Sequence, residues 1–157
     1  AGRGEGARPV EVRRELESLV ALRADMGQVV PLSEGAPVTA LVSPVGLRRM
    51  LDNLVDNAVA YGGGVTLEAK VADGEARITV LDRGPGLPDA ALARVTAPFE
   101  RGEASRNRRT GGAGLGLSIV QALAQAQGGR LVLANREGGG LMATIALPTP
   151  LGELAKP

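Results

Sequence analysis

Apolar residues recur along this chain in two rhythms, and the switching between them lays out the elements. Over residues 10–24 they fall at helical spacing, at Val12, Leu16, Leu19, Val20 and Ala24, and Gly27 closes the run. Residues 28–32 and 38–42 are short strand candidates, separated by a turn at 34–37. Ser43-Pro44 predicts a helix start, because Ser suits the N-cap and Pro the first turn. Leu47, Leu51, Leu54, Ala58 and Tyr61 follow as one apolar stripe, and three consecutive glycines end it. The rhythm then changes to two. Val65, Leu67, Ala69 and Val71 alternate, Asp73-Gly74 signals a hairpin, and 77–82 is the returning strand. A short helix is expected at 89–95. Residues 100–113 carry no core-forming pattern. Helical spacing returns over 114–127 with Leu117, Val120, Leu123 and Ala124, and Gly128-Gly129 caps it. Strands at 130–135 and 141–147 form a last hairpin around 137–140.

This order of helices interleaved with hairpins predicts an α/β fold: one sheet covered on one face by about three helices. Parallel βαβ repetition is not supported. Residues 1–8 read as a flexible lead-in, 9–148 as one domain and 149–157 as a tail.

Composition narrows the chemistry. With 44% hydrophobic and 22% charged residues in 157, a globular core is expected. That core must be aliphatic, since Tyr61 and Phe99 are the only aromatic residues. There is no Cys and no His, which removes thiolate chemistry and the commonest general base and metal ligand. A net charge of +1 gives no overall field to recruit nucleic acid. No apolar run approaches the roughly 20 residues a membrane span needs. The polar, Gly-rich start without Met reads as a piece of a longer chain.

Four segments carry candidate chemistry. In Asp52-Asn53-Leu54-Val55-Asp56-Asn57, the residues Asn53 and Asn57 lie one helical turn apart beside the apolar stripe, with Tyr61 one turn further. A carboxamide oxygen is a hard, neutral ligand that holds Mg²⁺ without repelling phosphates sharing the ion. Solvated surface asparagines would look the same. In Asp82-Arg83-Gly84-Pro85-Gly86 a carboxylate ends an apolar strand, and Gly84 and Gly86 follow. A buried carboxylate only accepts hydrogen bonds, so it suits the amino donor of adenine and repels the carbonyl of guanine. An ordinary strand-end turn has the same composition. In Gly111-Gly112-Ala113-Gly114-Leu115-Gly116-Leu117 a Gly-rich loop runs into a helix, where backbone N–H groups can wrap phosphate oxygens. It is neither a Walker A loop nor a dinucleotide fingerprint. Lastly, Ala97-Pro98-Phe99-Glu100-Arg101 precedes a basic stretch holding Arg106, Arg108 and Arg109, which suits a lid near a polyphosphate or a solvated loop tip.

Taken in order, the four segments resemble the N, G1, F and G2 boxes of histidine-kinase ATP-binding domains, across roughly residues 9–148 and with a texture most similar to the EnvZ-like group. The resemblance implies the Bergerat sandwich of GHKL proteins: two layers, with a mixed, largely antiparallel sheet. It implies Mg²⁺ on Asn57, with Asn53 near the phosphates of ATP. It implies Asp82 accepting from the adenine amino group, Tyr61 packed on the adenine ring, and Gly84 and Gly86 shaping the base pocket. The loop residues Gly112, Ala113, Gly114, Leu115, Gly116 and Leu117 would hold the phosphates, Arg101 would be a catalytic phosphate contact, and 100–113 would be the lid. Many relatives carry Lys or Arg three residues after the metal-binding Asn; here Ala60 stands there, which puts one phosphate contact in doubt.

The implied function is transfer of the γ-phosphate of ATP to a His on a separate dimerisation domain. The partners would be that domain and a response regulator reached through a membrane-anchored, homodimeric parent. The fragment would be cytoplasmic and monomeric, without nucleic acid. The chain contains no His, so the acceptor lies elsewhere. Other GHKL readings are an ATPase, an anti-sigma-like serine kinase or a non-catalytic nucleotide-binding module. Gyrase-like ATPases and anti-sigma kinases carry Glu one turn before the metal-binding Asn. Asn53 stands there, and it is a poor base.

Overall fold

The computed structural model describes residues 6–61, 64–96 and 113–150. Tyr61 falls at the end of this description and only its backbone is described; the Phe99–Arg101 segment, Arg106, Arg108, Arg109, Gly111, Gly112 and most of the expected lid lie outside the described residues.

Strand β1 (Arg8–Glu11) leads into helix α1 (Val12–Asp25). The helical spacing that starts at Val10 in the sequence gives way here to a strand end. The Glu11 carboxylate caps the helix by accepting from Arg14 N at 2.8 Å, so helix begins only at Val12. Strand β2 (Thr39–Val42) pairs antiparallel with β1, Arg8 opposite Val42. The strand expected at 28–32 is reduced to a single parallel bridge, Leu32 against Leu67. Pro31 accepts from Leu67 N at 2.8 Å but has no N–H to return, so the ladder does not extend through it.

Helix α2 (Pro44–Tyr61) starts as expected: Ser43 Oγ accepts from Gly46 N at 3.1 Å. Strands β3 (Val65–Ala72) and β4 (Glu75–Asp82) form a two-residue hairpin in which Ala72 faces Glu75. Asp73 at φ 53° and Gly74 at φ 74° supply the positive φ that such a turn requires. Helix α3 (Asp89–Thr96) is followed by α4 (Ala113–Ala126), then β5 (Arg130–Asn135) and β6 (Leu141–Pro148). The main sheet has the order β3-β4-β6-β5 with every neighbour antiparallel.

The inward face of this sheet presents Leu67, Ile78, Ile145 and Leu131 to a helix layer made by α1, α2 and α4. From the helices come Leu16 and Leu19, then Leu47, Met50, Leu51 and Leu54, then Leu117 and Val120, all buried. The core is aliphatic as expected. One member of the α1 stripe is unexpected: its buried positions are Val12, Leu16, Leu19 and Arg23, while Ala24 is exposed.

Candidate functional site

Parity decides where Asp82 points. The inward row of β4 is Ala76, Ile78, Val80 and Asp82, all buried, so the carboxylate ends an apolar row and faces the helix layer. Its orientation is set by two backbone donors. Oδ1 accepts from Gly84 N at 2.9 Å, a local Asx-type turn, and from Leu141 N at 3.0 Å across the sheet. Among the described residues both bonds converge on Oδ1, which leaves Oδ2 for a further donor.

Helix α2 brings Asn57 to the same end of the molecule, with Asn53 one turn further back. Val65, the first residue of β3, pairs with Asp82. Tyr61, the last residue of α2, precedes Val65 by four residues, at most about 14 Å of extended chain. Asn57 lies one turn before Tyr61, and both Asn53 and Asn57 are half-buried. Asn53 Nδ2 donates back to Arg49 O at 3.0 Å, within its own helix.

Helix α4 completes the convergence. Gln127, just after α4, accepts from Ser43 N, just before α2, at 2.9 Å. The two helices also pack along each other, so they run antiparallel. The 14 residues of α4 span about 21 Å, which carries its first turn to the level of Asn57 and Ala58 on α2. The unpaired N–H groups of a helix belong to its first turn, here Ala113, Gly114, Leu115 and Gly116. Leu117 already belongs to the buried stripe, so its side chain serves the core. One end of the domain thus gathers the start of β3, the end of β4, the end of α2 and the start of α4.

A hairpin that sequence reasoning did not single out holds this end together. Arg136 Nη1 donates to Asp82 O at 2.7 Å. Asn135 accepts from Leu87 N at 2.8 Å and donates to Leu87 O at 2.7 Å. Gly86 has φ 75°, and a Cβ there would run into Asn135 Oδ1 and crowd the carbonyl of Gly140. At least part of the need for glycine at 86 therefore comes from neighbouring protein, in addition to any ligand. A Cβ on Gly140 would meet Asp82 O in the same way.

The second omission is Arg23, buried at the α1–α2 contact. It donates to Asp56 Oδ1 at 2.6 Å, Asp52 Oδ1 at 3.1 Å and Gln28 Oε1 at 3.0 Å. Burial alone would depress its pKa, but the bonds and charges of Asp56 and Asp52 more than offset this and raise it. A charged residue in the apolar stripe of α1 was the available signal. A cleft of about 410 Å³ beside the 33–38 loop contains another arginine, Arg13. Each nitrogen of that guanidinium donates to a carbonyl, those of Ala36, Ser33 and Ala69, at 2.7–2.8 Å, so it pins the loop to β3.

Comparison with known proteins bears on the fold and the family. The profile for histidine kinase-, DNA gyrase B- and HSP90-like ATPases matches residues 42–151. The signal transduction histidine-protein kinase BaeS of Escherichia coli is 37% identical over 105 residues, 65% of this chain and 22% of that protein. Sensor histidine kinase component HK1 of Mycobacterium tuberculosis is 40% identical over 110 residues, 69% of this chain and 64% of that one. The chain spans less than two thirds of the length of either relative. The crystal structure of the ATP binding domain of PrrB from Mycobacterium tuberculosis superposes with a TM-score of 0.74 at 28% identity, covering 93% of this chain and 99% of that one. Full-length ShkA in complex with AMPPNP superposes at 0.68 with 31% identity, covering 95% of this chain and 32% of that one.

Proposed function

Because this chain belongs to the histidine kinase-, DNA gyrase B- and HSP90-like ATPase family, we propose that the end of the domain described above binds Mg-ATP and presents its γ-phosphate to a histidine on another domain. The observation that carries this reading is the convergence of a buried, inward-facing carboxylate, two half-buried carboxamides and the amide-rich first turn of α4.

Asp82 accepts the adenine amino group through Oδ2, while Gly84 N and Leu141 N hold Oδ1. Gly84 and Gly86 form the turn that borders the base, and Tyr61 lies one helical turn beyond Asn57 to stack on it. Asn57 supplies the oxygen for Mg²⁺. The donor chemistry fits: the half-buried carboxamide of Asn57 offers a hard, neutral oxygen that would share a divalent ion with phosphate oxygens. Mg²⁺, when bound, neutralises charge on the β- and γ-phosphates. The amides of 112–116 and Arg101 hold the same oxygens, and Asn53 lines the phosphate path. Such a site aligns and neutralises; it needs no protein nucleophile. Ala60 leaves one helix position without a cation, and the arginines of 101–109 take over that charge.

Hydrolysis is disfavoured by Asn53, which is bonded to its own helix and has no basic group to activate water. Transfer to a strong nucleophile is favoured, and with no His in the chain the acceptor sits on a separate dimerisation domain. The AMPPNP complex of ShkA, 31% identical, supports a nucleotide as the ligand. The domain proper would cover 9–148. Among the described residues no helix is long and apolar enough to cross a membrane. We place the domain on the cytoplasmic side of a membrane-anchored dimeric parent that passes phosphate to a response regulator. The test mixes this chain, γ-labelled Mg-ATP and the parent's histidine domain. Acid-labile, base-stable label on that domain is expected. Calorimetric binding without any transfer would reduce the chain to a nucleotide-binding module.

A further inference from the structure

The loop that follows Asp82 is held by a clamp outside the four recognised segments. After β4 ends, residues 83–88 cross the end of β6 and reach the end of the edge strand β5. There Asn135 offers its carboxamide as a substitute backbone: its oxygen takes Leu87 N at 2.8 Å and its nitrogen gives to Leu87 O at 2.7 Å. The side chain thus continues the edge-strand ladder onto the loop. Arg136 fixes the other end of the same loop through Asp82 O at 2.7 Å. Gly86 lies between, with its α-carbon turned so that a side chain would strike Asn135 Oδ1. Gly140 permits Asp82 O to approach the hairpin backbone. The β5–β6 hairpin therefore sets the height and tilt of the turn that borders the proposed adenine site.

Resting on the proposed nucleotide reading, we infer that Asn135 is a positioning residue for base recognition. It touches no nucleotide; it holds the 84–87 turn in the one shape that leaves Asp82 Oδ2 facing the base edge. A loop released from this clamp must be ordered again at each binding event, and a less fixed carboxylate discriminates less well between a donor and an acceptor on the base. The prediction is specific to the base. Losing the clamp weakens binding of ATP, leaves the weaker binding of GTP nearly unchanged, and so narrows the ratio between them.

The experiment titrates the 157-residue chain with Mg-ATP and Mg-GTP by calorimetry, alongside thermal melting. Asn135→Ala is expected to weaken ATP roughly 3- to 10-fold with little change for GTP. Asn135→Asp, which keeps the acceptor for Leu87 N but sets a carboxylate oxygen against Leu87 O, should narrow the ratio at least as far as Ala. It also serves if the alanine variant is poorly folded. Asp82→Asn is the control: its oxygen still takes the two amides, but the free end becomes a donor, so the ATP-to-GTP preference should fall further or invert. If Asp82→Asn changes the preference and both Asn135 variants leave it as in wild type, Asn135 is only a structural link and the inference is wrong. If Asp82→Asn also changes nothing, the adenine assignment fails and takes this inference with it.

Discussion

Helix α2 carries two polar rows of identical spacing, and they have opposite fates. Asp52 and Asp56 lie one turn apart, as do Asn53 and Asn57, and the rows differ by one residue, about 100° of rotation. The aspartate row faces α1 and is closed by Arg23, whose side chain is only 6% exposed. The asparagine row is half-buried, and among the described residues Asn53 bonds only within its own helix. The first row spends its hydrogen bonds on holding α1 to α2. The second keeps its oxygens available. Polar residues at i and i+4 say nothing by themselves about which use they serve; the partner helix decides.

Substitutions should separate the two rows cleanly. The largest effect is expected at Asn57: Asn57→Ala should abolish phosphotransfer and the Mg²⁺-dependent part of ATP binding, while stability stays within about 0.5 kcal/mol of wild type. A collapse of the melting transition would move Asn57 into the structural row. The open set extends across to the sheet, where Asp82→Ala removes a charged hydrogen bond worth roughly 1.5–3 kcal/mol, a loss of about 10- to 150-fold in ATP affinity. Unchanged affinity by calorimetry would contradict the adenine role.

The converse pattern is expected at Arg23. Deleting one partner of a fully buried ion pair costs about 3–5 kcal/mol, but Asp52 and Asp56 are 44% and 67% exposed and can rehydrate. Arg23→Ala should therefore cost about 2 kcal/mol in urea denaturation, with ATP affinity of the folded protein preserved. A loss of affinity without loss of stability would show that α1 shapes the site.

The smallest effect lies at the far end of the sheet. The Glu75 carboxyl is held below its ordinary pKa mainly by hydrogen bonds from Arg130, one of them at 3.0 Å; burial opposes this and Arg77 adds to it. The folded pKa is thus lower than the unfolded one. Its stabilisation is present above the unfolded value and is lost as pH falls through the folded value. Glu75→Gln should cost at most about 1 kcal/mol at pH 7, because Arg130 is half exposed. The two melting curves should converge in acid, and nucleotide binding should not change.

Much of the fold was legible because its elements are marked locally. The α2 stripe, its Ser43 cap and the Asp73-Gly74 hairpin each satisfy a rule that involves only near neighbours in the chain. The readings fell short where a local breaker went unweighed or a distant partner intervened. Residues 28–32 look like a strand, but Pro31 limits them to one bridge on β3. The α1 stripe continues through Ala24 in the sequence pattern, but Arg23 is buried because two aspartates on another helix neutralise it. Gly86 reads as a loop residue near a ligand, and its space is partly filled by Asn135 from 49 positions further along.

Periodicity, caps and glycine placement set the helices, the hairpins and the inward parity of Asp82, because these depend on backbone geometry within a few residues. Which polar groups became open and which became bonded was settled only when α1, α2, α4 and the β5–β6 hairpin came together. A hydrogen bond forms with whatever donor or acceptor lies within about 3 Å. Between Arg23 and Asp56, or Asn135 and Leu87, that proximity is a product of the folded chain.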